Sequence, residues 1–337
     1  MLRVTGTFGC VIGTRERVER DALGSRRVHT RSGAGPQGSW EVAVSRPAPE
    51  LSGAIARYRG FRISTGAPRS RVEIPIGMPC VIFCSGTPVM LEDATGAGAG
   101  PELFGAFVIG LRTRCLRLSH NGRIEGVEAT FTPAGAYELL GCAMHEITNA
   151  VFPAPAVLGR GTDALDNRLA EATSWDEAFG LLDAFFVDRA ERARQEGSLE
   201  VRHAWSWLEL ARPRAAGGRL ADELGWSQRR LELAFREQIG LTPGAIVRMA
   251  RFRRAVGLLV RGDLSLAELA DQCGYYDQSH FNREFRAVTG TTPQRYLTAE
   301  IGPASGNQLE LPERMEVRER EELEREQRRR AAREAAA

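Results

Sequence analysis

The chain has 337 residues, 43% of them hydrophobic and 26% charged, and its formal net charge at pH 7 is +2. This length predicts two domains, each able to hold a core, and the composition is typical of a soluble globular protein. So small a net charge does not indicate nucleic-acid binding by itself, because that signal lies in local clusters of charge. No apolar run approaches the roughly 20 residues that span a bilayer, so we expect a cytoplasmic protein without a membrane partner.

Cysteine and arginine usage narrow the chemistry further. The six cysteines are scattered without CxxC spacing, which predicts reduced, mostly buried thiols and no disulfide framework. The chain contains no lysine, so any cationic side-chain contact with a phosphate or base edge is expected from a guanidinium group.

The first half of the chain predicts an extension followed by a β-rich domain. Residues 1–38, which include GSRRVHTRSGAGPQGS, lack sustained periodicity and are predicted to be a disordered extension. From Trp40 to about residue 133, short β-type runs such as RVEIPI, CVIFCSG and VEATFTP alternate with Gly and Pro. This pattern predicts a small antiparallel β-barrel or sandwich.

Helical patterns dominate the rest of the chain. AGAYELLGCAMHEITNA and SWDEAFGLLDAFFVDRAERARQ carry apolar residues at spacings of three and four, with Ser174 as an N-cap, so residues 39–195 form one predicted sensor or dimerisation domain with trailing helices. Residues 198–298 are predicted to be all-α, which makes the fold class α+β. The tail at 301–337 is rich in Glu/Arg pairs at i,i+4; it is interpreted as a solvated helix or disordered segment, or as a dimerising or DNA-touching one.

An internal repeat lies within the all-α region. LADELGWSQRRLELAFREQIGLTP matches LADQCGYYDQSHFNREFRAVTGTTP, with an offset of 49 residues before the turn and 50 after it. Each copy predicts a short helix, a tight turn at Gly225 or Gly274, and a second helix. That layout is a helix-turn-helix unit, so the sequence predicts two of them.

The second helix of the second unit has a polar face suited to a DNA groove. Asp277 is a predicted N-cap, and Phe281 and Phe285 fix a buried seam that continues to Val288. Side chains on the other face match the base edges of the major groove, where Arg reads guanine and Gln reads adenine. These residues are Gln278, Ser279, Asn282 and Arg283. An ordinary solvated face is the alternative, and the duplicated frame favours the groove-reading interpretation.

The segment between the units, PGAIVRMARFRRAVGLLVRG, predicts a linker helix. Its roughly 18 residues would span about 27 Å, which suits two recognition helices near one DNA turn, about 34 Å, apart. Four of its arginines are candidate phosphate contacts, although some of them could be solvated or paired with nearby acids. They are Arg248, Arg251, Arg253 and Arg254.

The stretch from Ser265 to Leu297, SLAELADQCGYYDQSHFNREFRAVTGTTPQRYL, resembles the signature of AraC/XylS-family transcriptional regulators. The resemblance implies a seven-helix domain that binds double-stranded promoter DNA through two helix-turn-helix units. In the second unit it implies base-facing roles for Gln278, Ser279, His280 and Arg283; in the first, the corresponding positions hold Arg229, Glu232 and Leu233. Glu232 and Leu233 are poor contacts for a phosphate-lined groove, so Arg229, Arg230 and Arg236 are expected to supply affinity more than specificity.

The upstream half resembles, through WEVAVSRPAPELSGAIARYRGFRIS, VEIPIGMPCVIF and VEATFTPAGAYELLG, the sensor region fused to such domains. This resemblance implies a cupin-like β-barrel that binds a small effector, which stays unidentified, or mediates dimerisation. RNA polymerase and a second copy of the chain are further candidate partners. Five aromatic side chains could line an effector pocket or simply fill the core: Tyr58, Phe61, Phe83, Phe104 and Phe107.

An enzyme-like barrel with an accessory DNA-binding domain is the alternative hypothesis, either metal-dependent or methyl-accepting. The five histidines do not supply the His-x-His pair with a carboxylate and later His expected of a metal-binding barrel, and Cys142 with His145 makes at most half a site. Cys80 and Cys84 are predicted to face one side of a strand, as core, redox or methyl-accepting thiols. We therefore expect no cofactor, metal site or catalytic residue.

Overall fold

The computed structural model describes residues 12–20, 27–35, 38–75, 77–98, 100–193, 195–210 and 218–301. Its strands are β1 (Ile12–Arg20), β2 (Arg27–Gly35), β3 (Gly38–Ser45), β4 (Ile55–Ser64), β5 (Arg69–Glu73), β6 (Cys80–Cys84), β7 (Val89–Asp93), β8 (Glu102–Phe104), β9 (Ala106–Ile109), β10 (Leu116–His120), β11 (Arg123–Phe131) and β12 (Val151–Pro153). Its α-helices are α1 (Pro133–Leu140), α2 (Ala154–Leu158), α3 (Thr162–Glu171), α4 (Trp175–Glu191), α5 (Leu199–Leu210), α6 (Gly218–Glu223), α7 (Gln228–Gln238), α8 (Pro243–Arg261), α9 (Leu266–Gln272), α10 (Gln278–Thr289) and α11 (Pro293–Tyr296).

The N-terminal domain has three layers. An antiparallel eight-stranded sheet, in the order β1-β2-β3-β4-β11-β6-β9-β12, lies between a four-stranded sheet, β5-β10-β7-β8, and the helices α1–α4. The predicted β-rich domain is confirmed, but the barrel is not closed. Closure would require hydrogen bonds between the two edges of one sheet, and in the described residues β1 and β12 remain at opposite edges.

The prediction of a disordered extension at 1–38 is wrong for β1 and β2. β2 pairs with β3 from His29↔Val44 to Gly35↔Gly38, and Val28 is buried in the core. Gly33 is needed here because a Cβ at this position would lie 2.7 Å from Nε1 of Trp40. The many glycine and arginine residues of β2 gave no strand pattern in the sequence. Its pairing with β3 is what stabilises it. The remainder of 1–38 lies outside the described residues.

The trailing helices pack on the outer face of the large sheet. On α4, the Phe179 ring stacks on Tyr58 at a centroid distance of 5.8 Å, and the Tyr58 hydroxyl donates to Oδ1 of Asp183 at 2.8 Å. The predicted cap is confirmed, since the Ser174 hydroxyl accepts from the Glu177 amide at 3.2 Å. Gly60 leaves room for the Trp175 indole, which a Cβ would meet at 2.3 Å.

The C-terminal region contains the two predicted helix-turn-helix units, α6–α7 and α9–α10, joined by α8. The turns require left-handed backbone at Gly225 (φ +63°) and Gly274 (φ +74°), where glycine is the residue without steric cost. Each unit has its own core: the first is closed by α5 and the start of α8, and the second by the rest of α8 and α11. The helical domain therefore presents two separately packed recognition helices, α7 and α10.

Two further sequence predictions concern membrane-spanning helices and the charged tail. No helix within the described ranges is long and apolar enough to cross a membrane. Most of the charged tail expected at 301–337 lies outside the described residues, which stop at Ile301.

Candidate nucleic-acid interface and interior cavity

The recognition helix of the second unit, α10, begins at a tight cap. Oδ1 of Asp277 accepts the His280 amide at 2.6 Å, and Phe281 and Phe285 are fully buried beneath the helix. Gln278, Ser279 and Arg283 are exposed on its first two turns. The cap and the aromatic seam thus fix the helix, while its N-terminal half offers amide, hydroxyl and guanidinium groups to solvent.

Two other residues predicted to contact DNA are half-buried. Nδ1 of His280 accepts the Tyr276 amide at 3.4 Å, and its ring meets the Tyr275 ring edge-on at 5.4 Å. This hydrogen bond leaves Nε2 as the nitrogen available for an outside partner. Oδ1 of Asn282 is buried and has no hydrogen-bond partner among the described residues. Asn282 therefore projects partly into the protein, unlike Gln278 and Arg283.

An internal network holds α10 on the linker helix α8. The Arg251 guanidinium donates to Oε2 of Glu284 at 2.7 Å, and the Tyr275 hydroxyl donates to Oε1 of the same carboxylate at 2.9 Å. Arg251 also lies over the Tyr275 ring, 4.4 Å from its centroid. Of the two interpretations given for this arginine, the structure thus shows the ion pair, which positions the recognition helix.

The first recognition helix, α7, exposes mostly arginine. Ser227 caps it, and Arg229, Arg230 and Arg236 are exposed, with Arg230 lying 4.3 Å from the Trp226 ring centroid. Leu233 is 58% exposed and Glu232 is half-buried. All five predicted residues lie on one element, but a leucine and a carboxylate occupy the places where α10 carries polar groups.

The arginines of α8 point in different directions. Arg248 and Arg254 are exposed, in keeping with candidate phosphate contacts. Arg253 faces the N-terminal domain, where a Cβ on Gly77 would lie 2.2 Å from its Nη1. The linker arginines therefore divide between a solvent face and a domain boundary.

Both recognition helices are held at their C-terminal ends by two loops of the N-terminal domain, residues 110–115 and 144–149, which we call the bracket. The Thr148 hydroxyl donates to the Gly240 carbonyl after α7 at 3.0 Å, and the Cys115 amide donates to the Val288 carbonyl of α10 at 2.8 Å. Leu111 is buried in the core of the first unit and Cys115 in that of the second. The bracket therefore contacts both units.

The two loops of the bracket are tied to each other. The backbone amide of Asn149 donates to the Leu111 carbonyl at 2.9 Å, and the side-chain Oδ1 of Asn149 accepts the backbone amide of Thr113 at 2.8 Å. Asn149 is left-handed at φ +57°, the sole non-glycine of this kind in the described residues, and asparagine tolerates that conformation better than most residues. At Gly110 a Cβ would lie 2.1 Å from the Ile147 carbonyl oxygen. Close packing makes the two loops one unit.

A cavity of about 110 Å³ that opens to solvent lies between the two sheets. Phe61 and Phe107 line it, as two of the five proposed pocket aromatics, whereas Tyr58 and Phe83 belong to the helix-facing core and Phe104 packs beside Phe107. Arg112 of the bracket also lines it. Sequence reasoning missed Arg112 and the bracket, because GLRTRC has neither periodicity nor a motif.

The cysteines and histidines do not assemble a metal centre in the described part of the chain, where no group of three potential ligands occurs. Nδ1 of His145 lies 3.8 Å from a Glu237 carboxylate oxygen, at the boundary with α7. Cys80 and Cys84 both line the cavity, and burial raises the pKa of Cys84 to about 12. A thiol with so high a pKa is a poor nucleophile at neutral pH.

Comparison with protein families matches two parts of the chain. Residues 220–299 match a family described as a helix-turn-helix domain, and residues 44–153 match a domain of unknown function, DUF6597. The F1 operon positive regulatory protein of Yersinia pestis is 36% identical over 72 residues, which cover 21% of this chain and 24% of that protein. The xylose operon regulatory protein of Escherichia coli K12 is 33% identical over 75 residues, or 22% and 19% of the two chains.

The chain spans about a quarter or less of the length of these two curated relatives. Among solved structures, ToxT of Vibrio cholerae O395 aligns over 70% of this chain and 99% of its own, with 13% identity and a TM-score of 0.40.

Proposed function

Because residues 220–299 form a helix-turn-helix domain of the AraC/XylS family, we propose that this protein is a sequence-specific transcriptional regulator whose two units bind successive major-groove segments of promoter DNA. The observation that carries the proposal is the exposed triad of Gln278, Ser279 and Arg283 on a capped and aromatically anchored helix. These groups match purine edges in the major groove. We also propose a cytoplasmic location, because a regulator of this kind must reach promoter DNA.

The two units contribute unequally in this proposal. On α10, Gln278 and Arg283 read bases, and His280 adds a donor through Nε2. On α7, Arg229, Arg230 and Arg236 bind phosphates, which adds affinity without base preference. Glu232 and Leu233 tolerate rather than select the bases they face. The segment bound by the second unit is therefore the more sequence-restricted of the two.

The N-terminal domain supplies regulation in this proposal. A small effector in the cavity acts on both units, because Arg112 lines the cavity and belongs to the bracket that contacts α7 and α10. A second copy of this chain and RNA polymerase are the proposed macromolecular partners. The enzyme alternative receives no support from the described residues, since a methyl-accepting site needs a reactive thiolate and burial strongly raises the pKa of Cys84.

Selection of bound sequences from a random duplex pool by the full chain tests the proposal. We expect two motifs spaced about one helical turn, 10–10.5 base pairs, apart, with the stricter motif bound by the second unit. The sequences selected by the Arg283→Ala variant should lose their base preference at one position of that stricter motif. A pool that remains random after repeated selection would refute sequence-specific binding.

A further inference from the structure

The interior cavity has mainly apolar walls, and its lining holds more positively than negatively charged side chains. Its walls include Phe61, Ile63, Leu91, Phe107 and Leu118, contributed by both sheets. The charged side chains that line it are three arginines and two glutamates: Arg59, Arg71, Arg112, Glu73 and Glu128. The lining thus carries one more positive than negative charge, in a mainly apolar space.

Two of the three arginines have their own carboxylate on the cavity wall. Nη2 of Arg59 donates to Oε2 of Glu128 at 2.7 Å, across directly paired positions of β4 and β11. Nε of Arg71 donates to Oε1 of Glu73 on β5. Each of these two ion pairs is neutral as a whole. The surplus positive charge of the cavity lining therefore belongs to the third arginine, Arg112.

Arg112 is a buried cation that shares its counter-ion, Asp93, with Arg114. Its side chain is 6% exposed, and its Nη2 lies 3.7 Å from Oδ2 of Asp93, beyond hydrogen-bonding distance. Asp93 is closer to other groups, because it accepts the Thr95 amide at 2.9 Å and lies 2.9 Å from Nε of Arg114. Nε of Arg112 donates to the Arg114 carbonyl at 3.1 Å. Burial lowers the pKa of Arg112, yet a guanidinium remains charged at neutral pH.

Arg112 also reaches the boundary between the two domains. A small void at the domain boundary is lined by Arg112, by Gly77 and by Arg253 from α8. A buried charge is costly unless it is closely paired, so a negative group entering beside Arg112 would be favoured. Guanidinium groups bind carboxylate-like anions through paired hydrogen bonds that are stronger than those between neutral groups.

We propose that the cavity binds a molecule with an apolar body and a single anionic group, whose anion hydrogen-bonds to Arg112. This deepens the proposed regulatory function and rests on it for its biological meaning. A neutral or cationic molecule of the same shape binds more weakly, because it leaves Arg112 with only the long contact to Asp93 that Asp93 shares with Arg114. The ligand then contacts the bracket directly, through the side chain that lies between the cavity and the domain boundary.

Two fluorescent probes that share one ring system test the charge requirement on the full chain. 1-Anilinonaphthalene-8-sulfonate carries one anion, and N-phenyl-1-naphthylamine has the same rings without it. We expect Arg112→Gln to weaken binding of the sulfonate about tenfold or more and to change binding of the neutral probe less than twofold. Arg112→Lys should restore part of the difference, and Arg123→Gln, at an exposed arginine, should leave both affinities unchanged. Equal loss of both probes in Arg112→Gln would overturn the proposal.

A competition on the unaltered chain keeps the test independent of the variant's folding. Decanoate should displace the bound sulfonate probe at about tenfold lower concentration than decanol, because the two competitors differ in their charge and share their chain length. Equal displacement by the two would overturn the proposal. A one-to-one probe stoichiometry and unchanged far-ultraviolet circular dichroism are required of each chain, since partly unfolded protein also binds such dyes.

The two proposals fail in different ways. If the ligand-free chain selects specific DNA but does not distinguish the anionic from the neutral probe, the ligand assignment is wrong and the regulatory function stands. If the probes are distinguished at Arg112 and the chain binds all DNA equally, the function is wrong and the anion site stands.

Discussion

Single side chains decide how the two recognition helices differ. Arg283 is exposed on α10 between the buried Phe281 and Phe285, so its direction is set by a rigid seam. Replacement of Arg283 by Ala should cost about 1–3 kcal/mol of discrimination at one base pair, with little effect on random DNA. Affinities for the selected site and its single-base variants measure this. An equal loss on specific and random DNA would contradict a base-reading role.

Arg236 on α7 is the matched comparison for Arg283. Both arginines are exposed on the second or third turn of a recognition helix. Because a phosphate contact releases counterions, Arg236→Ala should weaken binding to all duplexes alike and reduce the slope of log K against log salt by about 1. Titrations at four salt concentrations provide the slope. A change confined to the selected site would assign base reading to the first unit as well.

His120 gives the N-terminal domain a measurable pH response. Burial, followed by the nearby charges of Arg71 and Arg69, lowers the pKa of His120 to about 4. The unfolded chain, with a pKa near 6.5, therefore binds this proton at a higher pH than the folded chain does. The stability contributed by neutral His120 is complete above about pH 6.5 and is lost as the pH falls towards 4. His120→Gln should flatten the fall in denaturation midpoint over that window, and an unchanged pH profile would contradict the assignment.

At the scale of elements, the packing of α10 supports its recognition role. Phe281 and Phe285 meet at 5.6 Å between ring centroids, and Phe285 also contacts Phe252 of α8 and Tyr296 of α11 at 5.6 Å. Phe285→Ala should lower the free energy of unfolding of the helical domain by about 3–5 kcal/mol. Arg286→Ala, at the neighbouring exposed position, should change it by less than about 0.5 kcal/mol. Urea unfolding followed by circular dichroism distinguishes these outcomes, and similar losses in both variants would contradict the assigned seam.

The repeat made the helical elements predictable because it depends on local spacing. The helix expected from Asp277 to Val288 is observed as Gln278–Thr289, and the expected cap is present. β1 and β2 escaped prediction, because their Gly- and Arg-rich sequence gains order from pairing across the sheet. The open two-sheet arrangement also depends on which strands become neighbours, as in the pairing of β4 with β11, whose partners run from Arg123↔Ser64 to Phe131↔Ile55 and are distant in sequence.

The site residues show the same division between local and distant information. Spacing along one helix separates exposed Gln278 and Arg283 from the buried seam. It did not resolve that Oδ1 of Asn282 is buried. Nor did it resolve that Arg251 pairs with Glu284, because that ion pair joins two helices, α8 and α10. The bracket joins Leu111 to Asn149 across a long intervening sequence, so no short motif could indicate it.

At the scale of the whole molecule, the bracket connects the N-terminal domain with both recognition helices. Thr148→Val keeps the side-chain shape and removes the hydrogen bond to the Gly240 carbonyl. We expect amides at the end of α7 to exchange hydrogen about fivefold faster, which corresponds to about 1 kcal/mol, while those of α10 stay unchanged. Thr298→Val, which removes a hydroxyl that donates to the Gln294 carbonyl four residues earlier, is the control. Equal exchange in the wild type and Thr148→Val would show that this contact does not couple the domains.

The central claim is that this chain distinguishes one DNA sequence from others through its helix-turn-helix units. The most direct measurement is the ratio of its dissociation constants for the selected site and for a scrambled duplex of equal length, at one salt concentration. We predict a ratio of at least about 10³ for the full chain, in the range of specific DNA-binding proteins. A ratio near one, with both duplexes bound, would contradict the account.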